Sequence, residues 1–303
     1  MDNTKKAWLV VFSGLGVNLT LGVFYSWGII SATLIDGFNW TATQTQIPYM
    51  LASAVFALTM IPGGKLQDKF GPRPILFVSS ILAGLGFFFS GLNLSVAGLT
   101  FFFGLVLGLA MGFGYSSLTP AAVNWFHSDH RGLISGIVVS GFGLAPVYIA
   151  PLASGLIGLF GLPASLMILG LLFFLIVFTL SFFISNLQEG VEKVKLKKKP
   201  RKVHRLTSKD YTLKKMVRTP QFYILWTVFF FETFAGLLII GQMSKIGLDQ
   251  ASISNGFLLV VVYAIFNFIG GVTWEAFPTL LGERPDFSLC LLYRHSFISC
   301  SVR

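Results

Sequence analysis

One carboxylate stands apart in this 303-residue sequence. Of its twelve acidic residues, only Glu232 lies inside a long apolar stretch, in Phe229-Phe230-Phe231-Glu232-Thr233-Phe234. A charged carboxylate at the centre of a bilayer costs ~2.5–3.5 kcal/mol on insertion scales, so such a group is expected to face a cavity rather than lipid. There it can exchange a proton or meet the counter-ion of a ligand. The alternative is a protonated side chain that hydrogen-bonds a neighbouring helix. No Lys or Arg falls within any of the apolar stretches, so a bound anion must find its donors elsewhere. Tyr25, seven residues after Asn18 and therefore two turns along one helix face, offers a phenolic hydroxyl, as do Tyr115 and Tyr148 in Gly-rich stretches. Such hydroxyls donate to a carboxylate while their rings exclude water. Trp27 is the one tryptophan set deep in an apolar stretch, and it joins the candidate binding residues. Ordinary aromatic packing is the other reading of each. The four histidines, His127, His130, His204 and His295, lack metal-ligand spacing, and Cys290 and Cys300 sit together near the C-terminus. Neither a metal, a cofactor nor enzymatic chemistry is expected.

The elements that must carry these residues are membrane helices. The sequence is 54% hydrophobic and 11% charged, with a mean hydropathy of +0.76, whereas a soluble domain is roughly 25% charged. That balance excludes a cytosolic enzyme, a nucleic-acid-binding module and a disordered chain. A bilayer core of ~30 Å needs about 20 apolar helical residues. Eight such stretches appear, at about 7–31, 44–62, 74–92, 98–120, 132–157, 162–185, 221–243 and 254–274. Strand-period alternation is absent, so the expected class is an all-α integral membrane bundle rather than a barrel.

The formal charge of +10 does not signal nucleic acid, because it is concentrated in one loop. Between Asn186 and Thr219 twelve cations face three acids, a net +9. Before that loop the cations (Lys5, Lys6; Lys65, Lys69, Arg73; Arg131) recur at every second connection, and the other connections hold only Lys245, balanced by Asp249, and the lone Asp36. The positive-inside bias of short loops then predicts a cytoplasmic N-terminus and a cytoplasmic basic loop, in the cytoplasmic (inner or plasma) membrane. Gly104, Gly108 and Gly112, and again Gly132, Gly136 and Ser140, form two small-residue stripes on which helices can approach closely. Gly141 to Pro146 and Pro151 are expected to interrupt the fifth helix.

The loop between the second and third stretches reads Gly63-Gly64-Lys65-Leu66-Gln67-Asp68-Lys69-Phe70-Gly71-Pro72-Arg73. Gly64 and Gly71 permit close backbone approach and a tight turn, Asp68 can cap a helix N-terminus, and Lys69 and Arg73 hold the loop on the cytoplasmic side. A plain positive-inside hairpin is the structural reading. The spacing resembles the signature of the major facilitator superfamily, in which Gly64, Asp68, Lys69, Gly71 and Arg73 would form the gating motif. Leu21-Gly22-Val23-Phe24-Tyr25-Ser26-Trp27 and the segment from Asn124 to Gly136 are similar to the oxalate/formate antiporter branch, over roughly residues 7–273. The resemblance implies a secondary active transporter of small organic anions, working by alternating access, expected to be monomeric. A small carboxylate and a proton would be its ligands. By the same resemblance Tyr25, Tyr115 and Tyr148 match positions lining the branch's binding cavity.

A two-half transporter places six helices in each half. The expected organisation is a six-helix N-terminal half at 1–185, a basic linker at 186–220, two helices of a C-terminal half at 221–274 and an aberrant tail at 275–303. Adding 211 to first-half numbers lays Gly71-Pro72-Arg73-Pro74 over Gly282-Glu283-Arg284-Pro285, yet Glu275 stands for Gly64 and Thr279 for Asp68. The reading is a transporter broken near Trp274, which alone would show little uptake; a natural eight-helix protein or a non-transporting membrane remnant with a structural role is the alternative. Members of the family often carry Arg after Asn-x-x-Gly at the end of the eighth helix, and here Asn267-Phe268-Ile269-Gly270 is followed by Gly271. That departure counts against a dianionic substrate.

Overall fold

The computed structural model describes residues 3–127, 130–187, 193–194, 213–251, 258–259, 261–266 and 269–270. Its described core is built from helices. The first span runs through α1 (Asn3–Leu21), a tighter 3-10 segment (Gly22–Ser26) and α2 (Trp27–Phe38). It passes the expected end at residue 31 because the helix continues beyond its apolar stretch until Asn39, whose φ of 56° ends it. The second span is α3 (Ala42–Phe70). It is opened by a capping box: the Gln44 amide donates to Thr41 Oγ1 at 3.2 Å, and the Thr41 amide donates to Gln44 Oε1 at 2.9 Å. Gly71, at φ 83°, turns the chain into α4 (Pro72–Leu92), a backbone region that L side chains rarely adopt.

The fourth span comprises α5 (Val96–Leu99), a π-helical segment (Thr100–Leu107) and α6 (Gly108–Val123). Ser95 caps it, accepting from the Gly98 amide at 3.0 Å. The next helix, α7 (Arg131–Ser181), has 51 residues and holds two spans. At 1.5 Å per residue it would measure about 76 Å if straight, more than twice a ~30 Å bilayer core. The break falls at Gly161, at φ 75°, just before Pro163. Pro146 and Pro151 do not interrupt it: only Gly161 leaves helical dihedral angles, which corrects the expected break in the fifth helix. Membrane helices tolerate prolines where neighbouring groups satisfy the freed carbonyls.

Among the described residues five helical stretches are long and apolar enough to cross a membrane, and the last of them, α7, supplies both the fifth and sixth spans. A short α8 (Leu213–Met216) precedes α9 (Pro220–Ala251), which covers the expected seventh span. The expected eighth span, at 254–274, lies largely outside the described residues, as do the tail at 275–303 and most of the basic linker. One linker point is fixed: Val194 pairs with Phe126, donating its amide to the Trp125 carbonyl at 2.9 Å.

Packing follows the small residues. The glycine stripe of span four lies on span two, where a Cβ on Gly108 would sit 2.9 Å from Val55 Cβ and one on Gly112 2.5 Å from Thr59 Cβ. The second stripe is different. Gly132 faces open space, and span five instead approaches span one at Gly141, whose added Cβ would lie 2.5 Å from the Leu15 carbonyl oxygen. Phe87 joins spans three, four and six through edge contacts with Phe103 and Phe173, at 5.7 and 5.3 Å between ring centres. The outside is apolar. Leu58, Ile61 and Leu159 are 69%, 65% and 78% exposed, surface that water would penalise by about 25 cal/mol per Å² and that hydrocarbon accommodates.

Candidate functional site

Spans one, two, four and five meet around aromatic residues. Phe56 of α3, Tyr115 of α6 and Phe142 of α7 form a three-ring cluster, with centres 5.7 Å (Phe56–Tyr115), 6.1 Å (Phe56–Phe142) and 5.4 Å (Tyr115–Phe142) apart. Tyr115 presents its ring edgewise to both phenylalanines, at 86° and 78°, while the phenylalanines stack at 8°. All three are half-buried. Helical rise places them about 12–21 Å from the helix ends at Val123, Arg131 and Phe70, near the middle of a ~30 Å core. The Tyr115 hydroxyl has no hydrogen-bond partner among the described residues.

Tyr148 is engaged differently. Its hydroxyl donates to the Leu19 carbonyl at 3.0 Å, binding span five to span one. Asn18 reinforces that seam by donating from Nδ2 to the Val138 carbonyl at 2.7 Å, while its Oδ1 is buried with no partner among the described residues. Trp27 is 1% exposed, packs against Phe103 at 4.3 Å and donates its indole N–H to the Thr45 carbonyl at 3.1 Å. Its donor is committed to holding span one on span two, so packing accounts for its depth. Tyr25 falls in the 3-10 segment after α1, which breaks the α-helical register assumed between it and Asn18. Its side chain lies outside the described residues. The same holds for Glu232, whose backbone is in α9.

The motif loop is built from other contacts than its spacing suggested. Gly71 makes the turn and donates its amide to the Gln67 carbonyl at 2.8 Å. The close-packed glycine is Gly63, whose Cβ would meet Ser116 Oγ at 2.5 Å; Gly64 has open space around it. Asp68 is exposed and does not cap α4, whose N-cap position is Gly71 with no side-chain cap. Lys69 lies over the Phe70 ring at 5.1 Å, and Arg73 ties the loop to the end of span six, donating from Nε to the Ile184 carbonyl at 2.9 Å. No group of three or more His, Cys, Asp or Glu suited to a metal occurs among the described residues.

Sequence reasoning missed Phe56 and Phe142. Among 32 phenylalanines no spacing marks them, and only the packing of three helices selects them.

Residues 10–288 match the family model described as Major Facilitator Superfamily. Over 251 residues the chain is 31% identical to the oxalate:formate antiporter of Oxalobacter formigenes, covering 82% of this chain and 57% of that protein. An uncharacterized MFS-type transporter of Escherichia coli K12, YhjX, is 28% identical over 271 residues, covering 88% and 64% of the respective chains. Human monocarboxylate transporter 11 is 30% identical over 167 residues, 54% of this chain and 35% of that one. The chain thus spans 57% and 64% of the length of the first two relatives. The motif loop, the helical bundle and the match over residues 10–288 together place this multi-pass membrane protein in the major facilitator superfamily.

Proposed function

We propose that the chain carries one wall of the binding cavity of a small-carboxylate carrier that works by alternating access. The observation that supports this best is the Phe56–Tyr115–Phe142 cluster: three rings from three spans near mid-depth, with one hydroxyl that has no partner among the described residues. A carboxylate there exchanges water for the Tyr115 hydroxyl while the rings shed water from its apolar side. The names of the relatives, an oxalate:formate antiporter and a monocarboxylate transporter, favour the same substrate class. Within it we favour a monoanion. No Lys or Arg lies in the apolar stretches to offset a second negative charge, and an uncompensated buried charge is costly.

In this reading 1–185 is the N-terminal half, 186–220 the basic linker, 221–274 the start of a C-terminal half and 275–303 a tail. Glu232 on α9 faces the cavity and takes up the coupling proton, and Tyr25 and Tyr148 belong to the walls. Trp27 supports that wall through packing. Gly64, Asp68, Lys69, Gly71 and Arg73 belong to the gate, with Arg73 transmitting movement of the loop to span six. The N-terminus is cytoplasmic and the unit monomeric. Cations from the start of α1 and from the Gly71 turn, Lys6 and Arg73, share one end of the bundle, as the positive-inside bias requires.

Thermal protection of the purified chain by a panel of anions tests the substrate class. Formate and lactate should raise the unfolding temperature at millimolar concentration, oxalate less, and chloride or sulfate not at all. Equal protection by all five would mean an ionic-strength effect and would remove the carboxylate reading.

A further inference from the structure

Where the first helix begins, a cleft of about 350 Å³ opens between the starts of α1 and α4 and the ends of α6 and α7. It lies at the cation-bearing end of the bundle, where Val10 stands nine residues, about 14 Å of helical rise, before Leu19, whose carbonyl Tyr148 binds. Two cations line it, Lys6 from α1 and Arg73 from α4, with no acidic side chain among the described lining residues. Its wall is fixed by two hydrogen bonds. Arg73 Nε donates to the Ile184 carbonyl at 2.9 Å, and Trp125 Nε1 donates to the Ser185 carbonyl at 2.7 Å. The first orients the guanidinium and leaves its terminal nitrogens without a partner among the described residues. Lys6 likewise has no ion-pair partner among them. The Asn186 amide lies in the same wall. The uncapped start of α4 adds the positive end of a 21-residue helix dipole.

The rim has the opposite character. Leu9, Phe182 and Phe183 border the cleft and remain 37%, 52% and 45% exposed. A doubly cationic polar cleft opening onto apolar surface, at the level where spans end, matches one kind of molecule in both its parts. We propose that this cleft holds the phosphate of an anionic phospholipid, whose acyl chains lie over Leu9, Phe182 and Phe183. Lys6 and Arg73 bind the phosphate oxygens, Arg73 through its planar fork of donors. A soluble phosphate would satisfy the cations but leave the apolar rim unused, which is why the lipid is favoured over it. The bound lipid bridges spans one, three, four and six at the motif loop and so stabilises one position of that loop.

Native mass spectrometry of the whole chain in detergent tests this by titrating phosphatidylglycerol against phosphatidylcholine, with glycerol phosphate as the water-soluble source of the same phosphate. The tightest phosphatidylglycerol should be retained in preference to phosphatidylcholine and should resist displacement by glycerol phosphate. A cation near a membrane surface contributes about 1 kcal/mol, or about fivefold in affinity. Lys6→Ala should therefore weaken the first binding step about fivefold, and Lys6→Ala with Arg73→Gln about 25-fold. Lys65→Ala, on the same end of the bundle but outside the cleft, should change it less than twofold. Arg73→Lys keeps the charge while losing the bond to Ile184, and should stay within about threefold of the parent. Lys6 makes no hydrogen bond among the described residues, so its arm decides the matter even if the Arg73 variants fail to fold. Equal retention of phosphatidylcholine, an equal loss in Lys65→Ala, or displacement by glycerol phosphate at matching concentration would each overturn the proposal.

Discussion

Replacing Gly141 with alanine adds one methyl group at the seam between spans one and five. The new Cβ would stand 2.5 Å from the Leu15 carbonyl oxygen and 3.1 Å from Asn18 Cβ. An ordinary contact needs about 3.5 Å, so the two helices must part by about 1 Å. The obstacle is backbone and cannot swing aside as a side-chain end would. Overpacking of this kind costs about 1–3 kcal/mol. The same displacement lengthens two flanking hydrogen bonds, Asn18 to Val138 at 2.7 Å and Tyr148 to Leu19 at 3.0 Å, each contributing about 0.6 kcal/mol in a membrane helix pair. The expected loss is about 2–4 kcal/mol. Gly155 on the same helix has nothing within 4 Å of an added Cβ, and there alanine should be neutral or stabilise by up to ~1 kcal/mol through helix propensity. Reversible unfolding of the purified chain by sodium dodecyl sulfate in mixed micelles measures both variants. Equal stability of Gly141→Ala and Gly155→Ala would refute the close-approach account of the seam.

Tyr148→Phe should cost about 0.5–1.5 kcal/mol in the same assay, since it leaves the Leu19 carbonyl without its donor; an unchanged midpoint would show that the bond adds nothing. Gly71→Ala, at φ 83°, should cost about 1–2 kcal/mol from backbone strain alone, measured by thermal unfolding, and Gly64→Ala, with open space around it, should be within ±0.5 kcal/mol. A cysteine placed at Lys65 should be blocked from an impermeant thiol reagent in intact cells and react after permeabilisation; labelling in intact cells would reverse the proposed orientation.

Much of the bundle was legible because a bilayer imposes a length on each helix, and charges or Gly-Pro pairs punctuate it. The turn at Gly71-Pro72 was readable for that reason, and so was the small-residue stripe from Gly104 to Gly112, which packs on Val55 and Thr59. What failed was rotational detail. Gly63 and Gly64 are adjacent and chemically identical, and which of them meets Ser116 depends on where α3 is rotated. The shift of the second stripe to Gly141 has the same origin, since contact falls on whichever face of span five the neighbouring helix occupies. The 3-10 segment at Gly22–Ser26 and the π segment at Thr100–Leu107 alter that rotation by fractions of a turn with no residue type to announce them. Hydrogen-bond donors were recognised by type but not by availability. Trp27, Tyr115 and Tyr148 look alike in sequence, yet Trp27 and Tyr148 spend their donors on the carbonyls of Thr45 and Leu19.

The central claim is that the Phe56–Tyr115–Phe142 cluster receives a small carboxylate through the Tyr115 hydroxyl. Equilibrium binding of labelled formate or lactate to the purified chain, parent against Tyr115→Phe, tests it most directly, because the substitution keeps the edge contacts to both phenylalanines and removes one donor. A hydrogen bond to a charged group contributes about 1.5–3 kcal/mol, so saturable binding should weaken at least tenfold while the unfolding midpoint stays unchanged. Saturable binding of equal affinity in Tyr115→Phe, or none in the parent chain, would contradict the account.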